Sequence, residues 1–342
     1  MRLTEAPVKV ALVGLDGLTP PDWVGERFAA AGVNFVAEEC NGRADLEKIA
    51  GDADILWVFG SHRCLYADNL DVLPRCGAII RTGSGTDNVP VAEATARGIV
   101  VANTPDALTE AVSDHAIGLL FAVIRRIAVQ DAAVRRGVWD RTVAWPDWHV
   151  HGQTLGLVGF GRIARRVARK LSGFDLSVLA FDPYAVPADL QALHVRSVDL
   201  DTLLVESDFV SVHCPLTPET FHVIDEQRLR RMRAHAVLVN TSRGAVVDEQ
   251  ALVRALREGW IGGAGLDVLE QEPPALDNPL LTLPNTVLTP HISGYSDEYL
   301  VRSWQLSVDT ALDLARGKWP RSCVNREVQP RWTLTENHTA RG

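Results

Sequence analysis

Near the middle of the chain, two glycines separate an apolar run from an arginine-rich segment: Thr154-Leu155-Gly156-Leu157-Val158-Gly159-Phe160-Gly161-Arg162-Ile163-Ala164. The run 154–158 suits a buried parallel strand. After it, Ile163, Val167, Ala168 and Leu171 recur at helical spacing among charged residues. Gly159 permits the tight turn between strand and helix. Gly161 lets a pyrophosphate approach the backbone, where a helix N-terminus offers unpaired N–H groups. Ala164 takes the third glycine position and allows close helix–strand packing. A second apolar run, 176–181, closes at Asp182. Its carboxylate can accept hydrogen bonds from a ribose 2′-hydroxyl and would repel a 2′-phosphate. Strand, helix, strand and acid in this order predict a dinucleotide turn, with NAD favoured over NADP as the cofactor.

Length and charge narrow the rest. A chain of 342 residues suggests two domains with ample cores. The net charge of −9 argues against nucleic acid as a partner, because no basic field is present to displace counterions. The five cysteines are scattered, with no spacing that resembles a zinc site or a disulfide framework, so no metal is expected and a reducing cytoplasm is. The segment that begins at Val8 reads as a first strand, not a signal peptide. No apolar stretch is long enough to span a bilayer, so no membrane partner is expected.

Strand-like and helix-like stretches alternate through residues 1–103. Strands are predicted at 8–13, 33–37, 55–59, 78–80 and 99–102, with helical patterns at 23–31 and 46–50. Such alternation implies an α/β fold with a parallel sheet covered by helices. A second series starts at Thr154, with later strands at 209–213, 236–240, 263–267 and 287–289. Between the two series, residues 111–136 read as one long helix, apolar nearly all round, which must be covered on several sides or meet a second subunit. Residues 298–316 read as a terminal amphipathic helix. The chain beyond Asn325 reads as a polar, frayed tail.

A chain that binds a nicotinamide can transfer a hydride if it also holds a cation for the substrate and an acid/base for the reacting oxygen. Arg243 lies just past a predicted strand, where open α/β sheets bind ligands. It could grip a carboxylate through two hydrogen bonds. Alone, an Arg beside a Gly is more often a surface or capping residue. His291 also follows a strand but is one of ten histidines, and Glu272 is one acid among three in its loop.

Five segments taken together carry a resemblance. They are Arg81-Thr82-Gly83-Ser84-Gly85-Thr86-Asp87-Asn88, His213-Cys214-Pro215-Leu216-Thr217-Pro218-Glu219-Thr220, Asn240-Thr241-Ser242-Arg243-Gly244, Gly263-Ala264-Gly265-Leu266-Asp267-Val268-Leu269-Glu270-Gln271-Glu272-Pro273 and Thr289-Pro290-His291. In these the chain resembles the D-isomer-specific 2-hydroxyacid dehydrogenases. The resemblance implies two Rossmann-like or flavodoxin-like domains with a cleft between them. A discontinuous substrate domain would take residues 1–103 and 295–330, an NAD domain 104–294, and a polar tail 331–342. It further implies that Arg243 binds the substrate carboxylate, that His291 is the general acid/base, and that Glu272 holds the imidazole and favours its protonated form. Asp267 would contact the nicotinamide carboxamide. Gly159, Gly161, Arg162, Ile163, Asp182, His213, Pro215, Thr220 and Thr241 would line the NAD site. The backbone at Gly83, Ser84 and Gly85 would anchor a small 2-oxo or 2-hydroxy acid. Members usually form homodimers through the region of residues 111–136.

Some residues depart from the family pattern. Val112-Ser113-Asp114-His115 stands where many members have Val-Ala-Glu-His. With Trp139-Asp140 and Tyr295-Ser296-Asp297-Glu298, this leans toward the C-terminal-binding-protein-like branch, although Gly294 stands where that branch often has Trp. His62, Arg63 and Tyr295 are further candidates for the substrate side, and Trp145 and Trp148 more often signify packing. A corepressor-like scaffold that senses NAD is the competing reading from another class. A phosphite-type dehydrogenase is a third, and Glu272 disfavours a formate enzyme, whose histidine partner is normally Gln.

Overall fold

The computed structural model describes residues 7–15, 17–60, 64–144 and 149–336. His62, Arg63, Trp145 and Trp148 lie outside the described residues. The chain divides into two compact units, Met1–Leu108 with Ser296–Gly342 and, between them, Thr109–Tyr295.

The first unit is built on strands β1 (Lys9–Val13), β2 (Asn34–Ala37), β3 (Ile55–Val58), β4 (Ala78–Arg81) and β5 (Val100–Asn103). They form one parallel sheet in the order β2-β1-β3-β4-β5. Both faces are covered, so its central strands are apolar throughout, with no alternation. The last long helix, Asp297–Ala315, returns to this unit and is capped by the Ser296 side chain on the Tyr299 N–H. Its Trp304, Val308, Ala311 and Leu312 enter the core beside Val10, Leu12 and Trp57. The indole of Trp57 donates to Thr82 Oγ1 (2.7 Å), which lies 2.9 Å from Ser307 Oγ on that helix. A buried polar group in such a core needs a partner, and these three supply one another.

The second unit carries β6 (Thr154–Val158), β7 (Ser177–Phe181), β8 (Arg196–Ser197), β9 (Phe209–Val212), β10 (Val237–Asn240), β11 (Gly263–Leu266) and β12 (Thr286–Leu288). The sheet is parallel throughout, in the order β12-β11-β10-β9-β6-β7-β8. The order reverses between β6 and β9, and such a switch point opens a crevice at the strand C-termini. Aspartates cap the helices that return the chain: Asp199, Asp225 and Asp248 accept the N–H groups of Thr202, Arg228 and Ala251. The α/β class with two parallel sheets agrees with the sequence expectation.

Two expectations are corrected. Residues 111–136 do not form one helix. The chain makes Thr109–Ile124 and Ile127–Arg135, broken where Arg126 takes a left-handed conformation (φ 49°, ψ 36°). The first helix is apolar on most sides because its own unit covers it, with Leu119, Leu120, Val123 and Ile124 in a core with β6 and β10. The second buries only Ala133 and exposes Ile127 and Val134. A continuous apolar pattern therefore spans two different environments.

The chain beyond residue 330 is not a frayed tail as far as it is described. Trp332 is buried in the first unit's core, Arg331 donates to the carbonyls of Pro74, Cys76 and Arg97, and Thr335 bridges to Lys318. A Cβ on Gly77 would lie 2.1 Å from the Trp332 ring, so the indole occupies the space a side chain there would fill. Removing a buried indole costs about 3 kcal/mol or more. Trp332→Ala should lower the urea-unfolding free energy by about that amount. A change below about 0.5 kcal/mol, as for an exposed residue, would contradict the packing.

Candidate functional site

Almost every residue singled out from sequence in the second unit follows the C-terminal end of a strand in one parallel sheet. Gly159 follows β6, Asp182 β7, His213 β9, Thr241 and Arg243 β10, Asp267 and Glu272 β11, and His291 and Tyr295 β12. Parallel strands place their C-termini along one edge, so topology alone gathers these residues.

The glycine turn is held from both sides of the switch point. Gly159 has φ +87°, and a Cβ there would lie 2.7 Å from the backbone N of Cys214, in the loop after β9. Conformation and close approach both demand glycine. The Phe160 N–H donates to Asp182 Oδ2 (2.7 Å) and the Tyr184 N–H to Oδ1 (2.8 Å), which orients the acid at the end of β7. Gly161 is the N-cap of the helix Arg162–Lys170, and Ile163 packs part-buried against the core behind it. His213 donates its backbone N–H to Val158 (2.7 Å), and its Nε2 lies 2.9 Å from Ser211 Oγ. The imidazole keeps a partly open edge yet sits deep enough among protein atoms that desolvation lowers its pKa to about 4. Thr220 Oγ1 donates to the Pro215 carbonyl (2.6 Å) and accepts from the Thr217 N–H (2.7 Å), which shapes the loop after His213.

Two observations test whether these residues fit a dinucleotide. Gly161 has an ordinary φ of −76°, and a Cβ there would meet no atom within 4 Å. Neither conformation nor packing requires glycine, but a ligand seated on the helix N-terminus would. Thr241 Oγ1 is buried and makes no hydrogen bond to the described protein. A buried hydroxyl left without a partner is costly, and a ligand in the crevice would satisfy it. On both counts the residues fit the cofactor.

His291, Glu272 and Arg243 come together on adjacent loops. His291 Nδ1 is 2.6 Å from Glu272 Oε2, and Glu272 Oε1 accepts the Leu269 N–H (3.0 Å). Burial pushes the Glu272 carboxyl up. Hydrogen bonds from His291 and the Leu269 N–H, with the charges of His291 and Arg243, outweigh it and hold the group below its usual range. The Asn240 side chain shapes the loop of Arg243: its Oδ1 accepts from the N–H and hydroxyl of Ser242, and its Nδ2 donates to the Arg243 carbonyl. Gly244 lies against the loop that carries Glu272, where a Cβ would be 2.0 Å from the Leu269 carbonyl carbon.

Asp267 is expected from sequence as a cofactor contact, and the structure gives it a further part. Its Oδ1 accepts the Thr289 hydroxyl (2.6 Å) and the Ile292 N–H (2.9 Å), and its Oδ2 accepts the Ser293 N–H (2.9 Å). Its backbone carbonyl accepts the His291 N–H (2.8 Å). Asp267 thus holds both flanks of His291, which sits at φ +54°, a conformation that disfavours side chains. Sequence reasoning missed this brace, and it missed His115, whose Nε2 lies 2.9 Å from Thr289 Oγ1. The Ser113 and Asp114 departures also find partners, since Lys170 Nζ reaches Ser113 Oγ (2.8 Å) and Asp114 Oδ1 (2.7 Å).

In the first unit the loop after β4 carries Gly83, Ser84 and Gly85. Gly83 has φ +100° and donates its N–H to Thr104 Oγ1 (2.8 Å), while the Ser84 carbonyl accepts from Asn103 Nδ2 (2.8 Å). For a cation, one group is present among the described residues: His222, Asp248 and Glu270 bring ligand atoms within 4.8 Å of one another. His222 Nε2 and Glu270 Oε1 are 2.7 Å apart, an ion-pair distance that joins two loops beside the site.

The Asp267 brace has a pH signature. Burial pushes its carboxyl up, but the Thr289, Ser293 and Ile292 donors outweigh it and hold the pKa below the usual range. A group with a lowered folded-state pKa stabilises the fold above its unfolded value and loses that contribution as pH falls through the folded one. Between about pH 5 and pH 3, wild type should therefore lose more stability than Asp267→Asn, read as the slope of the urea midpoint against pH. Equal slopes would show that the carboxylate does not carry the loop.

Comparison with known proteins places this geometry. The family model described as D-isomer specific 2-hydroxyacid dehydrogenase, NAD binding domain, matches residues 117–293. Glyoxylate reductase of Korarchaeum cryptofilum is 47% identical over 267 residues, covering 77% of this chain and 80% of that protein. A crystal structure of a glyoxylate reductase from Paecilomyes thermophila matches with TM-score 0.86 and 28% identity over 95% of this chain and all of that one. D-lactate dehydrogenase from Aquifex aeolicus, complexed with NAD and lactic acid, matches with TM-score 0.79 and 28% identity over 90% of this chain and 96% of that one. Among the described residues no helix is long and apolar enough to cross a membrane. The glycine turn, its acid and the matching NAD-binding domain lead to one conclusion: the chain belongs to the D-isomer-specific 2-hydroxyacid dehydrogenase family.

Proposed function

We propose that this enzyme reduces a small 2-oxo acid, with glyoxylate the first candidate, to the corresponding 2-hydroxy acid, and that Arg243, Glu272 and His291 carry the reaction. The observation that carries the reading is the 2.6 Å contact between His291 Nδ1 and Glu272, at the same sheet edge as the glycine turn. The glyoxylate reductases it resembles, such as that of Korarchaeum cryptofilum, support the substrate class.

Bound NADH supplies the hydride. The other tasks fall to the chain's own side chains. Arg243 binds the substrate carboxylate and stabilises negative charge that develops on the carbonyl oxygen. Glu272 takes up Nδ1 of His291, so Nε2 is the nitrogen that passes a proton to that oxygen. The Glu272 carboxylate, kept ionised by its donors, faces the imidazolium with a fixed opposite charge. Backbone groups at Gly83, Ser84 and Gly85 are candidates to hold a carboxylate. Asp182 selects NAD over NADP through the ribose hydroxyls. Two copies of the chain pair through the segment after Ile124, where Ile127, Val134, Val138 and Trp139 leave apolar side chains exposed.

A panel of 2-oxo acids with NADH tests the reading, beginning with glyoxylate, hydroxypyruvate and pyruvate. His291→Ala should lower turnover by about 10²- to 10⁴-fold while NADH still binds, followed by its fluorescence. Consumption of no 2-oxo acid by wild type, or undiminished turnover in the variant, would overturn it.

A further inference from the structure

The helix Thr109–Ile124 carries one side chain that joins the acid/base loop. His115 Nε2 lies 2.9 Å from Thr289 Oγ1, which in turn lies 2.6 Å from Asp267 Oδ1. Proton bookkeeping fixes the direction of this chain. Thr289 has one hydroxyl proton, and an ionised carboxylate can only accept, so that proton goes to Asp267. Thr289 is then left to accept from His115, and His115 must carry its proton on Nε2. His115 Nε2 also stands 3.6 Å from Asp267 Oδ1, and the Asp267 side chain is wholly buried. Ile292 and Ser293, the two residues after His291, hang on the same carboxylate.

The helix is fixed at its other side as well. Arg166 pairs with Glu110 (2.7 Å), and Lys170 pairs with Glu110 (3.0 Å) and Asp114 (2.7 Å). Both cations belong to the helix Arg162–Lys170, which follows its N-cap Gly161. One helix therefore ties the segment that starts at the dinucleotide turn to the loop that presents His291.

We propose that His115 is a positioning residue for the reaction: its Nε2–H, through the Thr289 hydroxyl, sets the Asp267 brace that holds the His291 loop. The inference rests on the role proposed above for His291, and it reaches a residue whose ring touches neither His291 nor Glu272 in any hydrogen bond of the described structure. Fine placement of a catalytic group governs turnover far more than binding.

Three variants test it. His115→Phe keeps a ring of similar size and removes the donor. His115→Gln keeps an N–H of similar reach. Thr289→Val removes the relay hydroxyl. We expect His115→Phe to lower kcat for 2-oxo acid reduction by about tenfold or more, with NADH affinity within about twofold of wild type. His115→Gln should recover most of the loss. Because both substitutions break the same relay, His115→Phe on a Thr289→Val background should add less than about twofold. Histidine imidazole 15N spectra provide a readout independent of activity: the His291 ring signals should shift in His115→Phe and return in His115→Gln. Full kcat in His115→Phe, equal losses in the Phe and Gln variants, multiplicative effects, or unmoved His291 signals would each overturn the positioning role. Inactivity of wild type toward every 2-oxo acid would instead strike the proposed function, and the spectra would still decide whether His115 places the loop.

Discussion

Gly244 lies so close to the peptide that joins Leu269 to Glu270 that a single added carbon would stand 2.0 Å from a carbonyl carbon and 2.1 Å from its oxygen. Much of the site depends on that approach. Arg243 precedes Gly244, and Glu272 lies two residues beyond Glu270. The distance between the cation and the carboxylate is therefore set by backbone against backbone, which has little freedom to adjust. Packed interiors transmit such constraints because they hold few voids. Side-chain bonds then refine the loops, with Asn240 shaping one and the Leu269 N–H anchoring Glu272 in the other.

Asp267 acts in the same way on the third loop. Left-handed backbone at a residue with a side chain costs roughly 1–2 kcal/mol, and His291 adopts it. Three donors on a buried carboxylate and a bond from the His291 N–H offset that cost. Charge-assisted bonds of this kind are stronger than neutral ones, and the low dielectric around Asp267 strengthens them further. The loop is thus rigid where chemistry needs a fixed nitrogen. By contrast, the residues that would meet a dinucleotide leave room and an unsatisfied hydroxyl, at Gly161 and Thr241. Rigid loops and room for a ligand lie side by side along one sheet edge.

Much of this was legible in the sequence because it is local. The glycine turn, Asp182 and the apolar strands are read within a few residues of one another, and a parallel sheet then brings the strand ends together. The three proposed catalytic residues were visible as motifs, and the structure puts two of them in direct contact. Long-range contacts stayed hidden. His115 and Thr289 are 174 positions apart, and neither flanking pattern announces the other. The helix break at Arg126 was masked because apolar residues continue past it, and β8 is two exposed residues without a pattern. Trp332 was lost in a polar segment, although Val328 and Trp332 enter the same core four residues apart. Gly244 reads as part of a motif, and only the structure gives the reason for it.

The measurement that bears most directly on the site is the turnover of Gly244→Ala. If the close backbone approach sets Arg243 against Glu272 and His291, the added methyl must move one loop, and kcat for 2-oxo acid reduction should fall by about a hundredfold. NADH affinity should fall less than kcat, because Thr241 shares the Gly244 loop but the glycine turn and Asp182 lie on others. A Gly244→Ala enzyme that folds and turns over like wild type would contradict the claim that this contact organises the site.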